Sequence, residues 1–302
     1  MPENRLTKEI AEQFVATYNK AGKLAIKLDL DEESGGLVEF TGLDDDAAEI
    51  LSKSGRFRAR RDGPGGELDL DCLTNLSDTA AEILRKHDDD LSLNGLTSLS
   101  DAAAESFSKH EGWLYLNGLT SLSDAAAESL RKRERVFPFH LDGLASLSDA
   151  AAESLRKHEG YLYLNGLTSL SDAAAESLSK QQGWLRLNGL TSLSDAAAES
   201  LSKQQGLLEL NGLTSLSDAA VESLSKYRGE WLSLDGLTSL SDAAAESLSK
   251  HEEDLSLNGL TSLSDAAAKS LSKRECSFSL HLDNLPDSAA EILRQHPGFQ
   301  DE

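Results

Sequence analysis

Cysteine is scarce. Cys72 and Cys276 are the only two in 302 residues, and their separation supports neither a disulfide framework nor a metal-ligand spacing. That usage fits a reducing compartment. No run of 18 apolar residues occurs, so no transmembrane helix is expected. The opening Met1-Pro2-Glu3-Asn4-Arg5 leads into a charged amphipathic stretch, not a secretory signal. A cytoplasmic location follows as the expectation. Basic residues are also few, with 29 Lys and Arg against 52 Asp and Glu and a formal net charge of −23. Such a chain is not built to bind the polyanionic surface of nucleic acid or an anionic membrane. The basic runs from Arg56 to Arg61 and from Arg131 to Arg135 are too short to reverse this.

Chemistry-bearing motifs are missing as well. The sequence holds no phosphate loop, nucleophile elbow, zinc spacing or calcium-loop pattern. Asp44-Asp45-Asp46 and Asp88-Asp89-Asp90 read as acidic loop and first-turn residues that need no ion. Serine, histidine and aspartate are abundant, but nucleophilic catalysis needs groups converging at hydrogen-bond distance. His87, His110, His158 and His251 share one position after a helix, where a solvated imidazole suits the helix C-terminal dipole. No catalytic residue, metal site or cofactor is expected.

What the chain has instead is a repeat, and self-similarity of this kind decides architecture. The string Gly-Leu-Thr-Ser-Leu-Ser-Asp-Ala-Ala-Ala-Glu-Ser starts verbatim at Gly95, Gly118, Gly166, Gly189 and Gly236, with near copies at Gly143, Gly212 and Gly259. Degenerate copies surround Leu43, Leu73 and Leu285. The residue after each Leu-x-Leu serves as a register mark: Thr41, Asp71, Asn94, Asn117, Asp142, Asn165, Asn188, Asn211, Asp235, Asn258 and Asp283. The first step is 30 residues and contains the loop from Ser54 to Gly66; later steps are 23 to 25.

One unit shows the local logic. Leu114-Tyr115-Leu116 alternates as a short strand. Asn117-Gly118 ends it, both residues tolerating left-handed backbone. Ser121-Leu122-Ser123-Asp124 reads as a capping box that starts a helix of about ten residues. Leu122, Ala126 and Leu130 fall at i, i+4 and i+8 on one face, and Glu128 pairs with Lys132 on the other. A glycine such as Gly112, Gly160 or Gly183 closes the helix. One unit cannot bury its own leucines. Stacking does so, at roughly 2 kcal/mol per fully buried leucine side chain, before chain entropy is subtracted. Strands stack about 4.8 Å apart while helices need about 10 Å, so the sheet takes the inside of a curve. At the start, Leu6, Ile10, Phe14 and Tyr18 form an apolar helical stripe that caps the first unit. The last unit is degenerate and stops at Pro297.

The units resemble the leucine-rich-repeat family, in a bacterial subtype with Leu-x-Leu-x-Gly-Leu-Thr-x-Leu-Ser-Asp-x-Ala-Ala-x-x-Leu, over roughly residues 38 to 296. The resemblance implies an α/β fold: a right-handed leucine-rich-repeat solenoid with a parallel sheet on the concave face and short helices on the convex face. Residues 1–37 would form an N-terminal helical cap and lead-in. Residues 38–283 would form about 11 repeats, counted with the last helix, and 284–302 that helix and a C-terminal cap. One departure stands out. The common family pattern ties neighbouring turns with an asparagine three residues after the second strand leucine, where this chain has Leu96, Leu119 or Leu167. The stacked Asn or Asp at the register mark is a candidate substitute ladder.

The family implies recognition of proteins on the concave face, though fold alone does not establish function. In each strand the residue before and the residue inside Leu-x-Leu should face that side. These are the positions where a near-constant repeat varies: Trp113 and Tyr115, Pro138 and His140, Tyr161 and Tyr163, Trp184 and Arg186, Leu207 and Glu209, Trp231 and Ser233. All three tryptophans sit here, and interface centres are enriched in Trp and Tyr. Trp113, Tyr115, His140, Tyr161, Tyr163, Trp184, Arg186, Glu209 and Trp231 are therefore the candidate binding residues. The competing reading is that the rings only shield the sheet. Three functions stay open: a non-catalytic scaffold for a protein partner, a carbohydrate-binding module whose rings stack on sugars, and a structural repeat without a fixed ligand. The first is preferred, acting as a monomer.

Overall fold

A computed structural model describes residues 5–12, 41–53, 67–133, 138–274 and 276–295. Phe14, Tyr18, Pro297, the loop at 54–66 and the insertion residues 134–137 lie outside them. The chain forms two compact units, Met1–Leu144 and Ala145–Glu302.

In the first unit, β1 (Arg5–Leu6) pairs in parallel with β2 (Gly42–Leu43). Leu6 is buried there as a strand residue, and the helix at 8–12 (α1) buries Ala11 and leaves Ile10 half-buried. The expected helical stripe from Leu6 through Ile10 is thus a strand followed by a helix. Next come α2 (Asp45–Lys53), β3 (Glu67–Asp69), α3 (Asp78–Leu84), β4 (Asp90–Ser92), α4 (Asp101–Phe107), β5 (Leu114–Tyr115), α5 (Asp124–Leu130) and β6 (Phe139–His140). Strands β3 to β6 form a parallel sheet in chain order. The second unit has α6 (Asp149–Leu155), β7 (Leu162–Tyr163), α7 (Asp172–Leu178), β8 (Leu185–Arg186), α8 (Asp195–Leu201), β9 (Leu207–Glu209), α9 (Asp218–Leu224), β10 (Trp231–Ser233), α10 (Asp242–Leu248), β11 (Asp254–Ser256), α11 (Asp265–Leu271), β12 (Phe278–Ser279), a 3-10 turn at Leu282–Asn284 and α12 (Asp287–Arg294). Strands β7 to β12 are again parallel and in chain order. Equivalent residues stand side by side, such as Leu185 with Leu208 and Leu208 with Leu232. Strand alternation with helices, in register, is the architecture the leucine repeat predicts.

The core is a column of leucine and alanine. In one repeat Leu114, Leu116, Leu119, Ala126, Ala127 and Leu130 are all at or below 2 % exposure. The helix is shorter than the sequence suggests. It runs seven residues, Asp124–Leu130, with Ser123 as its N-cap and Leu122 outside it and half-buried. The expected capping box at Ser121 is displaced by two residues. Ser123 Oγ accepts the Ala126 amide at 3.0 Å and donates to Asp101 Oδ1 of the preceding helix at 2.5 Å. Each cap therefore serves two repeats. The pattern recurs from Ser77 to Asp45, Ser171 to Asp149 and Ser241 to Asp218. Glu128 pairs with Arg131 instead of Lys132. The i, i+4 pair holds where the arginine position is serine, as in Glu176–Lys180 at 3.0 Å.

A second ladder runs through the register marks. The Asn94 backbone amide donates to Asp71 Oδ1 at 2.7 Å. The Asn117 amide likewise donates to Asn94 Oδ1 at 2.9 Å, and those of Asn188, Asn211 and Asp235 to the preceding mark at 3.1, 3.0 and 3.0 Å. This is the substitute asparagine ladder. A third ladder uses threonine: both the amide and the hydroxyl of Thr120 donate to the Thr97 carbonyl at 3.1 Å.

The turn glycines answer to space and not to backbone angle. A Cβ on Gly118 would collide with the Asn94 carbonyl, and one on Gly212 with that of Asn188. Neither has the left-handed φ expected from the Asn-Gly pair. Nor does glycine close the helix. The C-cap is a right-handed residue such as Ser108 or Arg131, and Gly112 lies farther on, against the Asp89 carbonyl.

The histidine position after the helix overturns its expected solvation. His87, His110, His158 and His251 are 2 to 4 % exposed, and Arg133, Gln181, Gln204, Tyr227 and Arg274 occupy the same buried position in other repeats. What these side chains share is length and a donor. Gln204 Nε2 donates to the Gly183 carbonyl at 2.6 Å. Arg133 and Tyr227 reach the equivalent carbonyls of Gly112 and Gly206, and Gln181 that of Gly160. Arg274 spans the carbonyls of Leu248 at 2.8 Å and Glu253 at 2.9 Å. A buried carbonyl left without a donor is costly, so the Gln, Arg and Tyr occupants form a fourth ladder inside each unit, while His110 and His251 meet the Arg85 and Ser225 carbonyls through Nδ1. Burial pushes His110 and His251 down to about 4 and Arg133 down to about 10.

Candidate binding face

The leucines of each strand point into the core, so the alternate residues face the other way. All nine candidate residues lie on these alternate positions, and the two units treat them differently.

In the first unit the rings cover one another. Tyr115 stands beside His140 in the sheet, with ring centroids 5.0 Å apart. The Trp113 ring lies 6.0 Å from Tyr115 and stacks on His140 at 6.4 Å and 25°. Tyr115 retains 7 % exposure, and Trp113 and His140 are half-buried. The Trp113 amide donates to Asp90 Oδ1 at 2.9 Å, anchoring the ring's backbone to the previous repeat. Here the aromatic residues chiefly shield the sheet.

In the second unit an apolar row is open. Tyr161, Trp184, Leu207 and Trp231 occupy one position on four adjacent strands, as the pairing of Leu162 with Leu185, Leu185 with Leu208, and Trp231 with Leu207 requires. Three strand steps make the row about 14 Å long. Tyr161 and Trp184 stack face to face at 4.3 Å and 10°. Tyr161 at 37 % and Trp231 at 38 % are the exposed large hydrophobic residues among those described.

A polar row runs alongside. The Arg186 guanidinium sits over the Tyr163 ring at 4.9 Å and pairs with Glu209 at 3.0 Å. Asn188 Nδ2 donates to the other Glu209 oxygen at 2.8 Å. The guanidinium thus packs on the ring and ion-pairs with a carboxylate that Asn188 also holds. The next residue in that row, Ser233, is buried against Asn211 at 2.7 Å. Leu207, a varying position outside the nine candidates, stands in register between Trp184 and Trp231 and makes the apolar row continuous. The signal was its position, which varies as the aromatic positions do.

Among the described residues no group of His, Cys, Asp or Glu is arranged to hold a metal ion, and no helix is long and apolar enough to cross a membrane.

Stacked parallel strands, intervening helices and an asparagine-type ladder define the class of fold, the leucine-rich-repeat architecture. No protein-family model and no curated protein sequence matches the chain. Among solved structures, an internalin from Listeria monocytogenes is similar at a TM-score of 0.39 and 15 % identity, over 97 % of this chain and 95 % of that one.

Proposed function

We propose that the chain is a non-catalytic scaffold that binds a protein partner on the open sheet face of its second unit. The observation that supports this reading is the row Tyr161, Trp184, Leu207 and Trp231, where a nearly invariant repeat places exposed aromatic residues. Exposing tryptophan to water forfeits burial energy, and aromatic anchors dominate interface energetics. The row is rigid, since every strand is tied to its neighbours, so little ordering entropy is lost on binding. The fixed Arg186–Glu209 pair beside it supplies directional polar contacts that select a partner.

Affinity capture with wild type and a Trp184→Ala/Trp231→Ala variant of unchanged circular dichroism tests the reading. Loss of specific partners in the variant is the expected result. Identical capture by both proteins removes the face from consideration. If a glycan array binds wild type and not the variant, the ligand is carbohydrate.

A further inference from the structure

The two ends of the open row differ in charge. At one end Tyr161 stacks on Trp184. At the other, Trp231 is preceded by Glu230 and stands in register with Asp254, and all three residues are exposed. Neither Glu230 nor Asp254 forms an ion pair among the described residues, and Asp254 only accepts the Ser277 hydroxyl at 2.6 Å. The nearby cations are engaged elsewhere. Arg186 pairs with Glu209, Arg228 with Glu252 at 3.6 Å, and Arg274 is buried on backbone carbonyls, feeling Asp254 only as a through-space charge. The chain as a whole carries −23.

We propose that the Trp231 end, with Glu230 and Asp254, takes a lysine or arginine side chain, so that the partner docks through a basic, aliphatic segment. The proposal rests on the binding face argued above and names the chemistry it selects. A cation over an indole face is favoured by the ring quadrupole, most strongly for tryptophan among the aromatic residues. The two carboxylates at this end of the row add Coulomb attraction, and Leu207, in register with Trp231, offers a surface for the aliphatic stem of the cation. An acidic segment would meet the same carboxylates as repulsion, giving discrimination as well as affinity.

A random twelve-residue peptide display library panned on the full chain provides the probe, with affinities of the selected peptides measured at low and high salt. Peptides joining Lys or Arg to aliphatic residues are expected to be enriched. Glu230→Gln/Asp254→Asn should weaken them about tenfold, one charge-assisted contact's worth, and flatten their salt dependence. Trp231→Ala should abolish binding. Selected peptides that need Trp184 and Trp231 yet show no basic bias would overturn the charge assignment and leave the docking face standing. Peptides indifferent to Trp184→Ala/Trp231→Ala, or no enrichment at all, would overturn both. Circular dichroism of each variant separates loss of the site from loss of the fold.

Discussion

Asn211 Oδ1 accepts the backbone amide of Asp235 at 3.0 Å and the Ser233 hydroxyl at 2.7 Å, so one side chain satisfies donors from the next repeat on both its turn and its strand. Asn211→Ala leaves both donors without that acceptor and should destabilise the second unit by about 1–3 kcal/mol. Asn211→Asp keeps an acceptor in place, as Asp71 and Asp235 do at the same position for Asn94 and Asn258. Urea denaturation should therefore show a clear loss for alanine and a small one for aspartate. Equal losses would mean that the ladder is not what holds the turns together.

Tyr227 tests the buried slot with a single atom. Its hydroxyl donates to the Gly206 carbonyl and lies 3.0 Å from Gln204 Oε1, and burial pushes its pKa up. Tyr227→Phe keeps the ring and removes the donor; the Gly206 carbonyl retains the Glu230 amide at 2.9 Å, so the expected cost is that of one buried hydrogen bond, about 0.5–1.5 kcal/mol. An unchanged denaturation midpoint would count against the slot as a structural ladder.

Acid should weaken the fold in two stages. His110 is held at about 4 by burial first and by the Arg133 charge second, and His251 at about 4 by burial, partly opposed by its bond to the Ser225 carbonyl. Both are lowered from 6.5, so between 6.5 and 4 the unfolded chain takes up protons that the folded chain refuses. Stability is complete above 6.5 and falls with pH through that window, at up to about 1.4 kcal/mol per pH unit and histidine. Glu82 and Glu153, lowered from 4.5 to about 2 by hydrogen bonds from Arg85 and Arg156, act in a separate window below 4.5. The double variant His110→Gln/His251→Gln borrows the residue of the Gln181 and Gln204 repeats. It should flatten the stability curve between 6.5 and 4 and leave the lower window unchanged. A variant with the wild-type slope would show that these histidines are not the titrating groups.

Spacing made the fold legible, because leucine at fixed intervals has one economical explanation, stacked burial. The register marks from Asp71 to Asn258 locate their strands, but the last falls two residues late: Phe278 pairs with Leu255, so His281 and not Asp283 takes the place of Asn258. Inter-repeat hydrogen bonding was harder to read. Ser123 looks like any surface serine until Asp101 of the neighbouring helix is seen beside it. His110, Arg133, Gln181 and Tyr227 belong to four residue types with no common hydropathy, so their shared buried role is hidden from pattern reading. A long side chain with a donor at every occurrence was the signal available. At Gly118 the Asn-Gly pair suggests a backbone angle, whereas the deciding fact is the Asn94 carbonyl against it. The candidate site was legible as a set of positions, but whether a ring is open or covered depends on its neighbours. Tyr115 is covered by Trp113 and His140, while Trp231 has only Leu207 and Asp254 beside it in the sheet.

The central claim is that binding occurs where the repeat departs from itself. Photocrosslinking addresses it directly, with a benzophenone amino acid placed at Leu207 in the open row or at the exposed Ala196 on the helix of the preceding repeat. The partner captured by wild type should crosslink from position 207 and not from 196. Crosslinking from 196 with silence at 207 would place recognition on the helices and contradict the account.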